Sequence, residues 1–243
     1  MSAPSLWRDL RRFTPARVAL GRAGNALPTA AHLDFQEAHA RARDAVWSTL
    51  DTEALEGAIG APCLRAASQA TDRRGYLLRP DLGRRLAPGT ALPEARGAFL
   101  FVVADGLNAA GVQRHAAPVL SHAIPGLRRA GWAVAPVVIA GQARVALGDD
   151  IAEAMGAAAV AVLIGERPGL SSLDSMGIYL TWAPRRGRTD AERNCISNVR
   201  EGGLPHAEAA AKLLWLVQAA RGLGATGVAL KDEQPALPVL PSR

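Results

Sequence analysis

"AVAVLIG", residues 159–165, is an unbroken run of apolar residues closed by glycine, and it ends abruptly in Glu166-Arg167-Pro168-Gly169. A short continuous apolar run bounded by turn residues is what a strand covered on both faces looks like. Two runs of the same kind precede it, "AFLFVVADG" (98–106) and "AVAPVVIAG" (133–141); "GIYLTW" (177–182) and the weaker "GVAL" (227–230) follow. Helix-like spacers separate the first three runs, over about Asn108–Ala130 and Asp149–Gly156. A long helix is predicted over Pro205–Leu223, with proline in its first turn, Gly222 and Gly224 near its end, and Glu208 four residues ahead of Lys212. This alternation predicts an α/β fold built on a mainly parallel, Rossmann-like sheet flanked by helices.

Upstream of the first strand the pattern changes. "LPTAAHLDFQEAHARARDAVWSTL" predicts a helix from about Thr29 to Leu50, with Leu33, Ala38, Ala42 and Val46 contributing to an apolar stripe and Glu37–Arg41 forming an i,i+4 pair. The turn-rich entry "LGRAGNALPT" lacks the G-x-G-x-x-G spacing of a dinucleotide fingerprint. Glycine and proline recur between Ser68 and Ala95, marking a connection and a boundary near residue 96. The expected organisation is a helical N-terminal region over 1–95, an α/β domain over 96–230, and a proline-bearing disordered tail over 231–243.

Of the 28 basic residues only Lys212 and Lys231 are lysine, and the arginines are dispersed among acidic residues. With a net charge of +6 and only 5% aromatic residues, the chain lacks the concentrated basic stripe and interleaved aromatics of a nucleic-acid interface. No apolar stretch approaches the roughly 20 residues that span a bilayer, and Met1-Ser2-Ala3-Pro4-Ser5-Leu6-Trp7-Arg8 has no signal-peptide core. Cys63 and Cys195 are the only cysteines, too few for a disulfide framework. A cytoplasmic protein is expected.

Ligands of open α/β sheets lie outside the carboxyl ends of the strands. That rule selects Asp105-Gly106-Leu107-Asn108, Gly141-Gln142-Ala143-Arg144-Val145, Gly165-Glu166-Arg167-Pro168-Gly169, and the long loop after Trp182 that contains "ERNCISNVREGG". Each combines small residues with polar groups, as a sizeable ligand of mixed polarity requires. The histidines, at 32, 39, 115, 122 and 206, form no metal-binding spacing, and neither a GxSxG elbow nor a P-loop is present. Glu166 has the chemistry of a general base, a ligand contact or a loop ion pair, and the adjacent Arg167 favours its ionised form. Cys195 has no base near it in sequence, so a small wall residue fits it better than a nucleophile. Val145 offers apolar contact or its backbone. The residues alone support a ligand-holding α/β domain without naming the ligand; a nucleotide-binding enzyme and a basic nucleic-acid module stand as alternatives.

The wording of successive blocks is more specific. "LGRAGNALPTAAHLDFQEAHARARDAVW", "RPDLGRRL", "DGLNAAGVQRHA", "GQARVALGDDIAEAMGA", "IGERPGLSSLDSMGIYLTWAPR" and "ERNCISNVREGGLPHAEAA" occur in order, and through them the chain resembles the small (light) subunit family of ethanolamine ammonia-lyase. The resemblance implies a hetero-oligomer in which a large barrel-type subunit binds ethanolamine, and adenosylcobalamin lies between the two subunits. It implies that the α/β domain holds the cobalamin, with Val145 of "ARVA", Glu166 of "GERPG" and Cys195 of "RNCIS" as contacts, and that the N-terminal region meets the partner. The stretch between Trp182 and Cys195 is slightly shorter than the family pattern. No D-x-H-x-x-G motif is present, Leu120 standing two places before His122, which agrees with a cofactor that keeps its own lower base. No catalytic acid or base and no metal ligand is expected in this chain, no membrane or nucleic acid among its partners, and its setting would be the cytoplasm, free or within a bacterial microcompartment.

Overall fold

The computed structural model describes residues 9–14 and 16–234. Among these, helix α1 spans Thr29–Val46 and α2 spans Thr52–Ile59; strand β1 is Cys63–Ala67, and α3 is Arg73–Leu78. The alternating part follows as β2 (Phe99–Ala104), α4 (Ala109–Arg129), β3 (Val137–Gly141), α5 (Leu147–Met155) and β4 (Ala159–Gly165). It closes with β5 (Met176–Trp182), β6 (Asn194–Val199) and α6 (His206–Leu223). The apolar runs at 98–106, 133–141, 159–165 and 177–182 thus become β2 to β5. "GVAL" is instead a 3₁₀ turn at Gly227–Ala229.

One six-stranded sheet runs in the order β1-β3-β2-β4-β5-β6. The first four strands are parallel to their neighbours, whereas β5 pairs antiparallel with β4, and β6 antiparallel with β5. The sheet is therefore mixed, which corrects the expectation of a mainly parallel, Rossmann-like one. The cause is connection length. A parallel return needs a crossover of a dozen or more residues, usually through a helix, and the links at 166–175 and 183–193 contain no α-helix to carry the chain back. The N-terminal stretch, expected to be helical and irregular, also contributes the edge strand β1, whose Leu64 lies opposite Val138 in the ladder. Of the tail expected from 231 onward, residues 235–243 lie outside the described residues.

Every residue of β2 and of β4 is buried, as their unbroken apolar character demands. One face, through Phe99, Phe101 and Leu163, packs against α4 and α6; the other, through Leu100, Val102 and Val160, packs against α5. The α5 face carries a buried ion pair, Arg193 Nη1 to Asp149 Oδ2 at 2.6 Å, and Thr181 Oγ1 accepts a further bond from that nitrogen at 3.1 Å. This pair fastens the β5–β6 link to α5. Among the described residues, no helix is long and apolar enough to cross a membrane.

Candidate functional site

The carboxyl ends of β2, β3 and β4 are adjacent in the sheet, and the chain after β2 comes very close to the end of β4. A Cβ on Gly106 would collide with Gly165 O, and one on Gly165 would collide with Asn108 O. Gly106 also has φ +56°, so glycine serves here both for its backbone freedom and for its missing side chain. Beside this contact the buried Asp105 accepts the backbone N–H groups of Gln142 and Ala143, each at 2.9 Å. Those bonds fold the chain after β3, where Gln142 takes φ +51°. Burial pushes the Asp105 carboxyl up, against the pull of the two amides and of Arg73. Arg73 Nη1 donates to Gly106 O at 2.8 Å, and its Nε donates to Val46 O at 2.7 Å. One guanidinium therefore ties α1 and α3 to the strand ends.

A cavity of about 190 Å³ opens at these ends, and Val145, Glu166 and Tyr179 are on its wall. A wider groove of about 490 Å³ lies next to it, bounded by Val46 and Trp47 at the end of α1 and by Pro168; Leu107, Arg144 and Arg167 line both. Tyr76 sits at the back, fully buried, with its hydroxyl donating to Ala143 O at 3.1 Å. Burial pushes its phenol up to about 12. The guanidinium carbons of Arg144 and Arg73 lie 4.2 and 4.7 Å from its ring centroid. Arg144 Nη2 donates to Tyr76 O at 3.3 Å, whereas the buried Arg144 Nε has no hydrogen-bond partner.

Glu166 and Cys195 meet through Tyr179. The Glu166 carboxylate accepts the backbone N–H of Asn198 through Oε1 at 3.1 Å and Oε2 at 3.3 Å. A Cβ on Gly177 would stand 3.1 Å from Glu166 Oε1 and 3.2 Å from Tyr179 Cε2, so that glycine lets carboxylate and ring approach each other. Cys195 lies directly opposite Tyr179 in the β5–β6 ladder, which sets thiol and phenol beside each other. Although Cys195 is exposed as a residue, burial of its thiol, reinforced by the charge of Glu166, pushes its pKa up; Tyr179 pulls the other way. Val145 and Glu166 thus share one cavity, and Cys195 adjoins it behind Tyr179 rather than lining it. Among the described residues Glu166 makes no ion pair, and its carboxylate is held by the Asn198 amide.

The loop carrying Glu166 and Arg167 is tied to α4 at its far end. Asn108 caps the helix through Gly111 N at 3.2 Å while its Nδ2 donates to Leu173 O at 2.5 Å. A Cβ on Gly111 would stand 2.8 Å from Asp174 O. Arg114 pairs with Asp174, and His115 Nε2 lies 3.8 Å from the same carboxylate. His115 Nδ1 is 2.8 Å from His206 Nε2 at the start of α6. The partner of His115 is therefore His206, far away in sequence. Among the described residues, no group of three or more His, Cys, Asp or Glu could hold a metal ion.

Tyr76, Arg73 and Tyr179 were not anticipated. The first two come from the segment read as a connection, and their placement depends on the Arg73 bonds across the fold. Tyr179 had a discoverable signal, because alternation along a strand puts it on the same face as Gly177.

Residues 4–231 match the family described as ethanolamine ammonia-lyase light chain (EutC). The chain is 53% identical over 238 residues to the ethanolamine ammonia-lyase small subunit of Azotobacter vinelandii, covering 93% of this chain and 88% of that one. It is 52% identical to the protein of the same name from Xanthomonas campestris pv. campestris, with the same coverage. To that of Bradyrhizobium diazoefficiens it is 52% identical over 247 residues, covering 96% and 94%.

Proposed function

The chain belongs to the ethanolamine ammonia-lyase light-chain family, part of a lyase complex, and we propose that its strand-end cavity holds one side of adenosylcobalamin against the large subunit. A small subunit implies a large one, and the reaction of the assembly is conversion of ethanolamine to acetaldehyde and ammonia. The carrying observation is convergence: Val145 and Glu166, from different loops, line one cavity, and Cys195 adjoins it through Tyr179.

The residues present suit such a ligand. Leu107, Val145 and Ile164 offer an apolar wall to a macrocycle, Glu166 and Tyr179 offer polar groups to amide side chains, and Arg144 and Arg167 offer cations to a phosphate. The unpartnered Arg144 Nε is a donor still to be satisfied. Cavity and groove are open and much too small to enclose so large a molecule, so a second protein surface must complete the site. Exposed apolar side chains of the N-terminal region, Trp47 at the groove and Leu33 and Phe35 farther along α1, supply a surface for that contact. When bound, the cofactor supplies the radical chemistry; this chain orients it and keeps water from its covered face.

The test is size-exclusion chromatography of the purified two-subunit complex after incubation with hydroxocobalamin. Cobalamin absorbance should travel with the complex, and Val145→Trp, which fills the cavity, should release it. A folded, assembled complex that elutes colourless overturns the reading.

A further inference from the structure

A further cavity, of about 410 Å³, shares no lining residue with the strand-end cavity. The segment after β3 divides them: Arg144 and Val145 face the strand-end cavity, and Ala146 faces the other. The remaining walls come from the 3₁₀ turn Leu82–Arg84, from α5 and from the β5–β6 link.

The charges on this wall are unbalanced. Five arginines and three aspartates line it, and each carboxylate is already matched. Asp150 is held by Arg186 through two bonds, at 3.0 and 3.1 Å. Asp81 is held likewise by Arg79, and Asp190 lies 3.4 Å from Arg193. Arg188 is paired with Glu192. What remains is Arg84 and Arg85, adjacent in sequence, which among the described residues have no carboxylate within ion-pair distance. Their backbone is fixed on both sides: Gly83 O accepts Arg144 N at 2.8 Å, Arg85 O accepts Gln69 N at 2.9 Å, and Leu86 N donates to Asp150 Oδ2 at 3.2 Å. Two like charges on a rigid turn, facing a concavity, are stabilised by an anion bound between them.

We propose that this cavity binds the phosphate group of a small phosphate monoester. Guanidinium forks match phosphate oxygens in geometry, and two unmatched arginines equal the charge of a phosphate dianion. The cavity is larger than a phosphate ion needs, which leaves room for the organic part. The site lies apart from the cobalamin surface and does not depend on that assignment.

Isothermal titration calorimetry on the two-subunit complex, saturated with hydroxocobalamin in low-salt buffer free of phosphate, tests this. The probes are glycerol 3-phosphate, inorganic phosphate and, as a neutral control, glycerol. Glycerol 3-phosphate should bind saturably and at least about tenfold tighter than inorganic phosphate, with glycerol inert. The exposed pair Arg84→Ala/Arg85→Ala should weaken phosphate-ester binding about tenfold or more while the thermal midpoint and cobalamin retention stay as in the wild type. Equal affinity for the ester and inorganic phosphate reduces the site to a bare anion hole and overturns the monoester assignment. Absence of saturable binding, binding unchanged in the double variant, or binding only when cobalamin is omitted overturns the site itself.

Discussion

Glu166 accepts the backbone amide of Asn198 with both carboxylate oxygens, at 3.1 and 3.3 Å, so the end of β4 is bonded across β5 to β6. Asn198 is in the left-handed region at φ +59°, and the β5–β6 register shifts between Met176 and Ile178. The carboxylate thus organises an irregular strand end while presenting itself to the cavity.

That double duty separates two substitutions at Glu166. Glutamine keeps an oxygen for the Asn198 amide and loses the charge; alanine loses both. A hydrogen bond to a charged group contributes about 1.5–3 kcal/mol, so Glu166→Ala should weaken cobalamin retention by the complex about tenfold or more, and Glu166→Gln should weaken it less. The KM for ethanolamine, which the partner is proposed to bind, should move less than about twofold in either. Equal cobalamin affinity in wild type and Glu166→Ala would count against the contact.

The Arg193–Asp149 pair predicts a stability effect independent of ligand. Both side chains are almost wholly buried, and removing one member of a buried pair costs about 3–5 kcal/mol, because Arg193 then keeps only the exposed Asp190, at 3.4 Å, as a counter-charge. Asp149→Ala should therefore lower the unfolding free energy in urea by that order, and Asp149→Leu combined with Arg193→Met should recover most of it. A single variant as stable as the wild type would show that the pair is dispensable.

Both outcomes reflect what periodicity can and cannot report. The strands β2 to β4 were legible because burial on both faces forces continuous apolar runs, and the strand-end rule then pointed to the loops bearing Val145 and Glu166. β1 was not, because Cys63–Ala67 carries Arg65 mid-strand and lies at the sheet edge, where a ladder with β3 decides the conformation. Strand direction was readable in principle, since no α-helix separates β4 from β5 or β5 from β6. The pairing of Asp149 with Arg193 had no sequence signal, for pairing between residues far apart in sequence leaves no local pattern.

His115 gives the chain a pH dependence. Burial holds its imidazole below the ordinary value of 6.5, helped by His206 and Arg114 and opposed by Asp174 and Glu201. The unfolded chain, with an ordinary histidine, takes up the proton first as pH falls, so the stability contributed by this site declines as pH drops below about 6.5 and levels off beneath the folded value. The buried Asp149 carboxyl, pushed up to about 6, takes up its proton first in the folded chain and acts in the opposite sense. Urea denaturation at pH 7.5, 6.5 and 5.5 should show the wild type losing stability relative to His115→Gln as pH falls. Parallel profiles for the two proteins would assign the slope to other groups.

Cys195 offers a probe of the proposed cofactor surface that does not require turnover. The thiolate is the reactive form, and burial together with the Glu166 charge raises the thiol's pKa, so alkylation by iodoacetamide near pH 7.5 should be slower than for a free cysteine. Glu166→Gln removes the charge and should accelerate it, provided the thiol retains its place beside Tyr179. Cys63, the other free thiol, is distinguished by running Cys195→Ser in parallel. If cobalamin lies against this corner, loading the two-subunit complex with hydroxocobalamin should slow labelling of Cys195 about tenfold and leave Cys63 unchanged. Equal protection of both thiols would point to a general tightening of the fold, and no protection of Cys195 would move the cofactor away from β6.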